Sequence, residues 1–306
     1  MNYDDIVDVA DLDCIYLSYD EPQKEEFWLK IKNMVPWAKR VDGVKGSDAA
    51  HKAAADASDT ERFILIDGDN LPDERFFNLT LEYHNEEWEQ AVYRWRAKNN
   101  INGLMYGNGG LKLWPKEYVL NMQTHENAPA DDPNAQVDFC WNINYVQMNN
   151  VYSDVYANGS AYQAYRGGFR EGVKMCLDRG TKPTLQEFEQ RVHHRNYDHL
   201  CIWQSVGADV ENGFWAMYGA RLGCYLTNLR RDWDFTLVRD FEWHTQYWKE
   251  EIAPRFAGGN DHHHENSLVS HRFGPVAECY ETKLSRVNAC LLKPQHPPLV
   301  STSSIT

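Results

Sequence analysis

The chain has 306 residues, 42% hydrophobic and 25% charged, enough to bury a substantial core without disulfide or metal staples. Its formal charge of −14 repels nucleic acid at long range, which argues against non-specific DNA binding and still permits a local basic groove. No apolar run is long enough to span a bilayer, the acidic start MNYDDIVDVADLD lacks signal-peptide features, and the seven scattered cysteines form no C-x-x-C pair, so a soluble, cytoplasmic protein with reduced thiols and no membrane partner is expected.

In chain order, CIYLSYDEP (14–22) predicts a strand ended by a polar turn. KEEFWLKIKNM (24–34) has helical spacing, and GSDAAHKAAADAS (46–58) is an alanine-rich helix with Ser47 or Asp48 as its cap. RFILID (62–67) is a short continuous apolar run, the mark of a strand buried on both faces. DERFFNLTLEYH (73–84) reads as helix or extended chain. Residues 102–122 read as strand, glycine turn, strand and a helix opened near Pro115. Strands alternating with helices predict an α/β fold with a mainly parallel sheet. Residues 160–180, 184–194, 197–207, 212–226 and 240–252 are expected to be helical. A single domain over 1–256 is expected, with a nucleotide half to about 125 and an acceptor half after it; 257–306 reads as a histidine-containing loop and a loose or wrapping tail.

The apolar run at 62–67 ends in Asp67-Gly68-Asp69. Ligands of open α/β sheets sit at the carboxyl ends of strands, where two carboxylates suit Mg²⁺ or Mn²⁺. Gly68 lets the backbone turn and approach a ligand. Such a cation stabilises a departing nucleoside diphosphate, the logic of D-x-D glycosyl transfer. The plain alternative makes Asp67 and Asp69 turn and cap residues. An EF-hand is excluded by Leu71 and Pro72 at positions that need other residues. An aspartyl-phosphate phosphatase also begins Asp-x-Asp, yet here a strand and helix precede the motif and Leu71 follows it; it stays as a lesser alternative.

The blocks YDEP, PWAKRVDGVKGSDAAHKAA, FILIDGDN, YGNGG, GGFREGVKM and GADVENGFWAMYGARLG together resemble a family of glycosyltransferases of T4-like bacteriophages, over about residues 13 to 245. The resemblance implies a GT-A-like fold with a nucleotide-binding half and a helical acceptor half. Some relatives are implicated in sugar modification of phage DNA cytosines, including arabinosylation of a hydroxylated cytosine. It therefore implies transfer from a UDP-sugar, with Mn²⁺ or Mg²⁺, to hydroxy- or hydroxymethylcytosine in DNA. A glycan or protein acceptor is the alternative, and a non-catalytic carbohydrate-binding phage protein a further one.

Carried onto this chain, Asp67 and Asp69 would hold the metal, with His244 as a third ligand preferred over His262 and His264 of the DHHHE stretch. Tyr19 and Asp20 would meet uracil and ribose. Gly46, His51 and Lys52 sit on the loop and helix before the D-x-D strand, where Lys52 and the helix N-terminus suit a phosphate. Asn108 and Gly109 would flank the sugar, although Asn-Gly alone already signals a hairpin turn. For an inverting reaction Asp138 is the candidate general base, with Glu211 and Asp209 as competitors. Arg166 and Arg170 share a helical face and, with Arg195, would contact acceptor DNA; pairing with the chain's many acids is the alternative. Trp203, Trp215, Trp243 and Trp248 suit sugars or flipped bases, or simply a core.

Overall fold

A computed structural model describes residues 5–256 apart from 84, 107–109, 130–138, 140–142, 185 and 231. The chain opens with β1 (Asp5–Asp8), β2 (Asp13–Ser18), α1 (Lys24–Met34), β3 (Lys39–Asp42), α2 (Ser47–Ala57), β4 (Arg62–Asp67) and β5 (Asn70–Pro72). It continues through β6 (Thr80–Tyr83), α3 (Glu86–Gln90), β7 (Val92–Asn99), β8 (Met105–Tyr106), β9 (Leu111–Pro115), α4 (Lys116–Asn121) and β10 (Tyr145–Val155). The rest is helical: α5 (Ala161–Lys174), α6 (Phe188–Arg191), α7 (His194–Ser205), α8 (Gly213–Leu229), α9 (Phe241–Tyr247) and α10 (Ala253–Phe256), with a π turn between the last two. Among the described residues no helix is long and apolar enough to cross a membrane.

The fold is α/β, and its main sheet is mixed. The order is β3-β2-β4-β9-β7-β10-β5, with β8 added to β7. Three pairings are parallel and four antiparallel, so the expectation of a mainly parallel sheet is corrected. Parallel neighbours need a long crossover. β9 instead returns from β7 through a short connection, enters between β4 and β7, and opposes both.

The sheet's pleat sorts β4 to two cores. Ile64 and Ile66 pack with Phe27 and Ile31 of α1. Phe63 and Leu65 pack with Ala54 and Ala55 of α2 and Val119 of α4. Both faces of β4 are therefore covered, as its unbroken apolar run predicts. Asp67 continues the Phe63–Leu65 row and so lies on the α2 face.

Between β4 and β5 lie only Gly68 and Asp69, yet β5 occupies the far edge of the sheet beyond β10. The sheet must curl to bring its centre and that edge together. Asn70 fastens the junction: its buried Oδ1 accepts from Gly110 N and from Ser153 Oγ, both at 3.2 Å. Tyr16 Oη donates to Gly68 O at 2.8 Å, and Tyr156 N donates to Asp69 O at 2.8 Å.

The helical layer is built on α5 against α8. A Cβ at Gly168 would stand 1.9 Å from Ala216 O, and one at Gly172 2.3 Å from Ala220 O. In return, a Cβ at Gly219 would stand 2.1 Å from Tyr165 O, and one at Gly223 2.4 Å from Phe169 O. Glycines four apart on both helices thus let the backbones touch. Adjacent Gly167 faces elsewhere, its Cβ position an ordinary 3.5 Å from Ala157 Cβ. The pair gives a sharp test. Gly168→Ala is expected to destabilise the protein by about 3 kcal/mol or more, because the obstacle is backbone. Gly167→Ala is expected to be neutral or to stabilise by up to about 1 kcal/mol through helix propensity. Thermal or urea unfolding of the two variants checks both.

Candidate functional site

The acidic pair sits where the curl closes. Asp67 Oδ2 accepts from Lys112 Nζ at 3.2 Å, and Lys112 is only 13% exposed. Lys112 lies on β9, on the α2 face shared with Asp67. Asp69 is half-buried and accepts from Asn70 Nδ2 at 2.8 Å. Burial, then the Asp67 charge, push the Asp69 carboxyl up; Asn70, Arg166 and Lys112 oppose them. Glu21 adds a third carboxylate nearby. Its Oε2 accepts from Tyr19 N at 2.7 Å and would stand 2.4 Å from a Cβ on Gly68. Burial raises the Glu21 pKa, and Asp69 and Asp20 add to that rise. That carboxylate is the far end of a flexible side chain and can shift, and Gly68 is not among the positive-φ residues, so neither space nor backbone conformation demands glycine at 68.

Could these residues hold a divalent cation? Asp67 and Asp69, both half-buried, repel each other, and with only Lys112 paired to Asp67 they present oxygen donors of net negative charge. Mg²⁺ and Mn²⁺ sites of this kind use one or two carboxylates and complete themselves with substrate phosphates and water. Asp67 and Asp69 fit that pattern. Among the described residues no three His, Cys, Asp or Glu side chains form a metal-holding group. His244 is thus not brought to the acidic pair, which corrects its expected role as third ligand. It is fully buried, edge-on to Phe169 at 5.5 Å, with Nε2 3.0 Å from Val238 O. Its pKa falls to about 4, chiefly through burial, with Arg170 and Arg166 adding to the fall.

The remaining expected donor residues fall into two groups. Tyr19, 46% exposed, and exposed Asp20 follow β2 at the same sheet edge as Asp67. Lys52 is half-buried on α2. His51 is buried; its Nδ1 is 2.8 Å from Ser47 O and its ring packs on Trp114 and Phe139. Burial lowers its pKa, against the pull of Asp67. Gly46, at φ +95°, is itself the N-cap of α2, in place of the expected Ser47 or Asp48. The Glu126 carboxylate reaches that end and accepts from Asp48 N at 3.1 Å. The anion expected at this helix start is thus supplied by the chain itself.

Asn108, Gly109 and Asp138 lie outside the described residues, as do Arg231, His262 and His264. Glu211 is exposed in the turn before α8, and its carbonyl accepts from Asn158 Nδ2 at 2.9 Å. Arg195 is exposed in the first turn of α7, on a different helix from Arg166 and Arg170. Arg191 pairs with Asp178 at 2.9 Å, and Arg230 with Asp232 at 3.4 Å. Trp215, Trp243 and Trp248 pack in the core around α5 and α8, and Trp203 in its neighbour.

Several site residues escaped sequence reasoning: Lys112, Glu21, Asn70 and a network in the helical half. There Tyr106 Oη donates to Glu171 Oε2 at 2.6 Å and accepts from Trp203 Nε1 at 3.1 Å. Burial, reinforced by Glu171, keeps the Tyr106 phenol protonated. Lys112 did carry a signal: a lysine inside the apolar alternation of LKLW needs an inward partner.

No family model, curated protein or solved structure matches this chain. What the site offers therefore rests on its own residues: two neighbouring carboxylates at a strand end with Lys112 beside them.

Two outcomes follow from the charges. Asp69 has a folded-state pKa above its ordinary 3.8, so its ionised form costs stability at neutral pH. Asp69→Asn is expected to raise the metal-free melting temperature at pH 7, with the gain vanishing as pH falls through the carboxylate range. The same variant is expected to lose the rise in melting temperature that MnCl₂ gives the wild type. His244 is held neutral in the fold, so the unfolded chain binds more protons as pH falls from 6.5 toward 4. Stability is expected to drop across that window by up to about 3 kcal/mol, and His244→Gln to flatten the drop in urea titrations at stepped pH.

Proposed function

We propose that the chain is a metal-dependent glycosyltransferase that moves a sugar from a UDP-sugar to hydroxy- or hydroxymethylcytosine in phage DNA. The observation that carries the reading is the half-buried carboxylate pair at the end of a central strand, with Lys112 beside it and exposed Tyr19 and Asp20 on the next strand's exit. A divalent cation held there, Mn²⁺ or Mg²⁺, neutralises the charge of a departing diphosphate.

The chain's own groups have separable tasks. Asp67 and Asp69 bind the cation. Lys112 adds a fixed positive charge on the phosphate side. Tyr19 offers a flat ring to a base, and Asp20 an acceptor to a ribose hydroxyl or an imide N–H. Asp138 remains the candidate general base, as the resemblance implies. The arabinosyl donor and the DNA acceptor also come from that resemblance; the charge of −14 favours a glycan or protein acceptor instead.

The deciding experiment is mass spectrometry of digested modified-phage DNA after incubation with a panel of UDP-sugars and MnCl₂. A mass increment of one sugar on the modified cytosine is expected with wild type. Asp69→Ala is expected to lose at least about a hundredfold in rate while staying folded, as for removal of a group that stabilises transition-state charge. Full activity in that variant would remove the metal assignment. No UDP-dependent heat shift, with or without Mn²⁺, would favour a non-catalytic protein.

A further inference from the structure

The chain has 45 acidic and 31 basic residues, so carboxylates are plentiful, yet only some of its described arginines are ion-paired. Arg40, Arg75, Arg191 and Arg230 each hold one in an ion pair. Among the described residues Arg166 and Arg170 hold none, and Arg170 Nε is buried without a hydrogen-bond partner. Pairing with the chain's acids, the plain expectation for this cluster, is not what the fold builds.

Ring faces hold these two side chains instead. The Arg166 guanidinium lies 4.7 Å from the Phe241 centroid and 5.4 Å from Tyr162, and that of Arg170 lies 5.6 Å from Phe241. Stacking uses the flat face of a guanidinium and leaves its in-plane N–H donors unspent. Both residues are half-buried, and the Nε of Arg170 is shielded from solvent, so an N–H donor is kept from water without a protein acceptor.

Position ties the pair to the acidic edge. The residues sit one turn apart on α5 and share a face. Gly167, between them, abuts Ala157. Ala157 follows Tyr156, whose N–H donates to Asp69 O at 2.8 Å. Across the site, Lys112 lies 3.2 Å from Asp67. The charges of Arg166 and Arg170 both reach Asp69, and those of Arg170 and Arg239 reach His125. Cations and carboxylates thus face one another across a short span.

We infer that Arg166 and Arg170 take the phosphoryl oxygens of a compact, cation-chelated diphosphate at the Asp67–Asp69 edge, and do not form a surface for a DNA backbone. A duplex presents a long row of phosphates and is met by a stripe of cations. A row of phosphates laid here would run onto Asp69 and Asp67. A diphosphate bound to a divalent cation carries both signs within a few ångströms and matches both walls. The planar guanidinium fork suits phosphoryl oxygens two at a time. Only the identity of the ligand rests on the glycosyltransferase reading; the anion site stands on its own geometry.

The test is isothermal titration calorimetry on the full chain with sodium pyrophosphate, with and without MnCl₂, beside a short unmodified DNA duplex. Wild type is expected to bind pyrophosphate more tightly with Mn²⁺ than without. The double variant R166Q/R170Q is expected to lose at least about tenfold in that affinity, as for loss of one charged hydrogen bond. Its affinity for the duplex is expected to stay within about twofold of wild type. Circular dichroism checks that the variant folds, and Arg166→Lys, which keeps the charge and loses the planar fork, is expected to bind more weakly than wild type and more tightly than Arg166→Gln, a comparison that holds should the double variant unfold. The inference is overturned if wild type binds no pyrophosphate, if the charge-neutral variant binds it unchanged, if Arg166→Lys binds it no better than Arg166→Gln, or if the duplex affinity falls instead. Pyrophosphate binding without any sugar transfer would keep this site and end the glycosyltransferase reading.

Discussion

Two residues separate a strand at the centre of the sheet from a strand at its edge, and the sheet has to curl for the chain to make that step. The buried amide of Asn70 holds the closure by accepting at once from Gly110, just before β9, and from Ser153 of β10. Everything of chemical interest is grouped around that junction. The two aspartates are there because the turn is there, and Asp69 is tied to the chain leaving β10 through Tyr156 N. A flat sheet would leave Asp69 as an ordinary solvated turn residue.

The charge pattern around the junction differs from that of the chain as a whole. The protein is strongly acidic, yet Lys112 pairs with Asp67, the Arg166 charge reaches Asp69, and burial, with Arg170 adding to it, keeps His125 and His244 neutral. The exposed Lys45–Glu242 pair, at 2.7 Å, joins the loop before α2 to α9 across the same edge. Solvent screens such a pair, so it contributes little and opens easily. Fixed charges on rigid elements, with one loosely tied loop beside them, suit a site that must admit a charged ligand and then hold it.

Much of the fold was legible in the sequence. The helices at 24–34 and 46–58 and the strand at 62–67 match α1, α2 and β4 nearly to the residue, because caps, alanine content and an unbroken apolar run are local signals. β7 and β10 were not seen. VYRWRAKN and YVQMNNVYSDV carry arginine, lysine and asparagine, and their burial comes from neighbours distant in the chain. Without them the antiparallel entry of β9, and hence the mixed sheet, could not be foreseen. At the site, the acidic pair was readable as a motif, whereas Lys112 and Glu21 reach it only through strand pairing and a turn. His244 misled because a histidine among aromatics reads alike as ligand and as core.

The glycine seam between α5 and α8 has a mechanical consequence. Backbone rests on backbone there, with no side chains to slide, re-rotamer or interdigitate differently. Each helix is locked in register against the other, since sliding either one would drive a carbonyl into the next Cα row. The two helices must therefore travel as one rigid girder, carrying the arginine row with them.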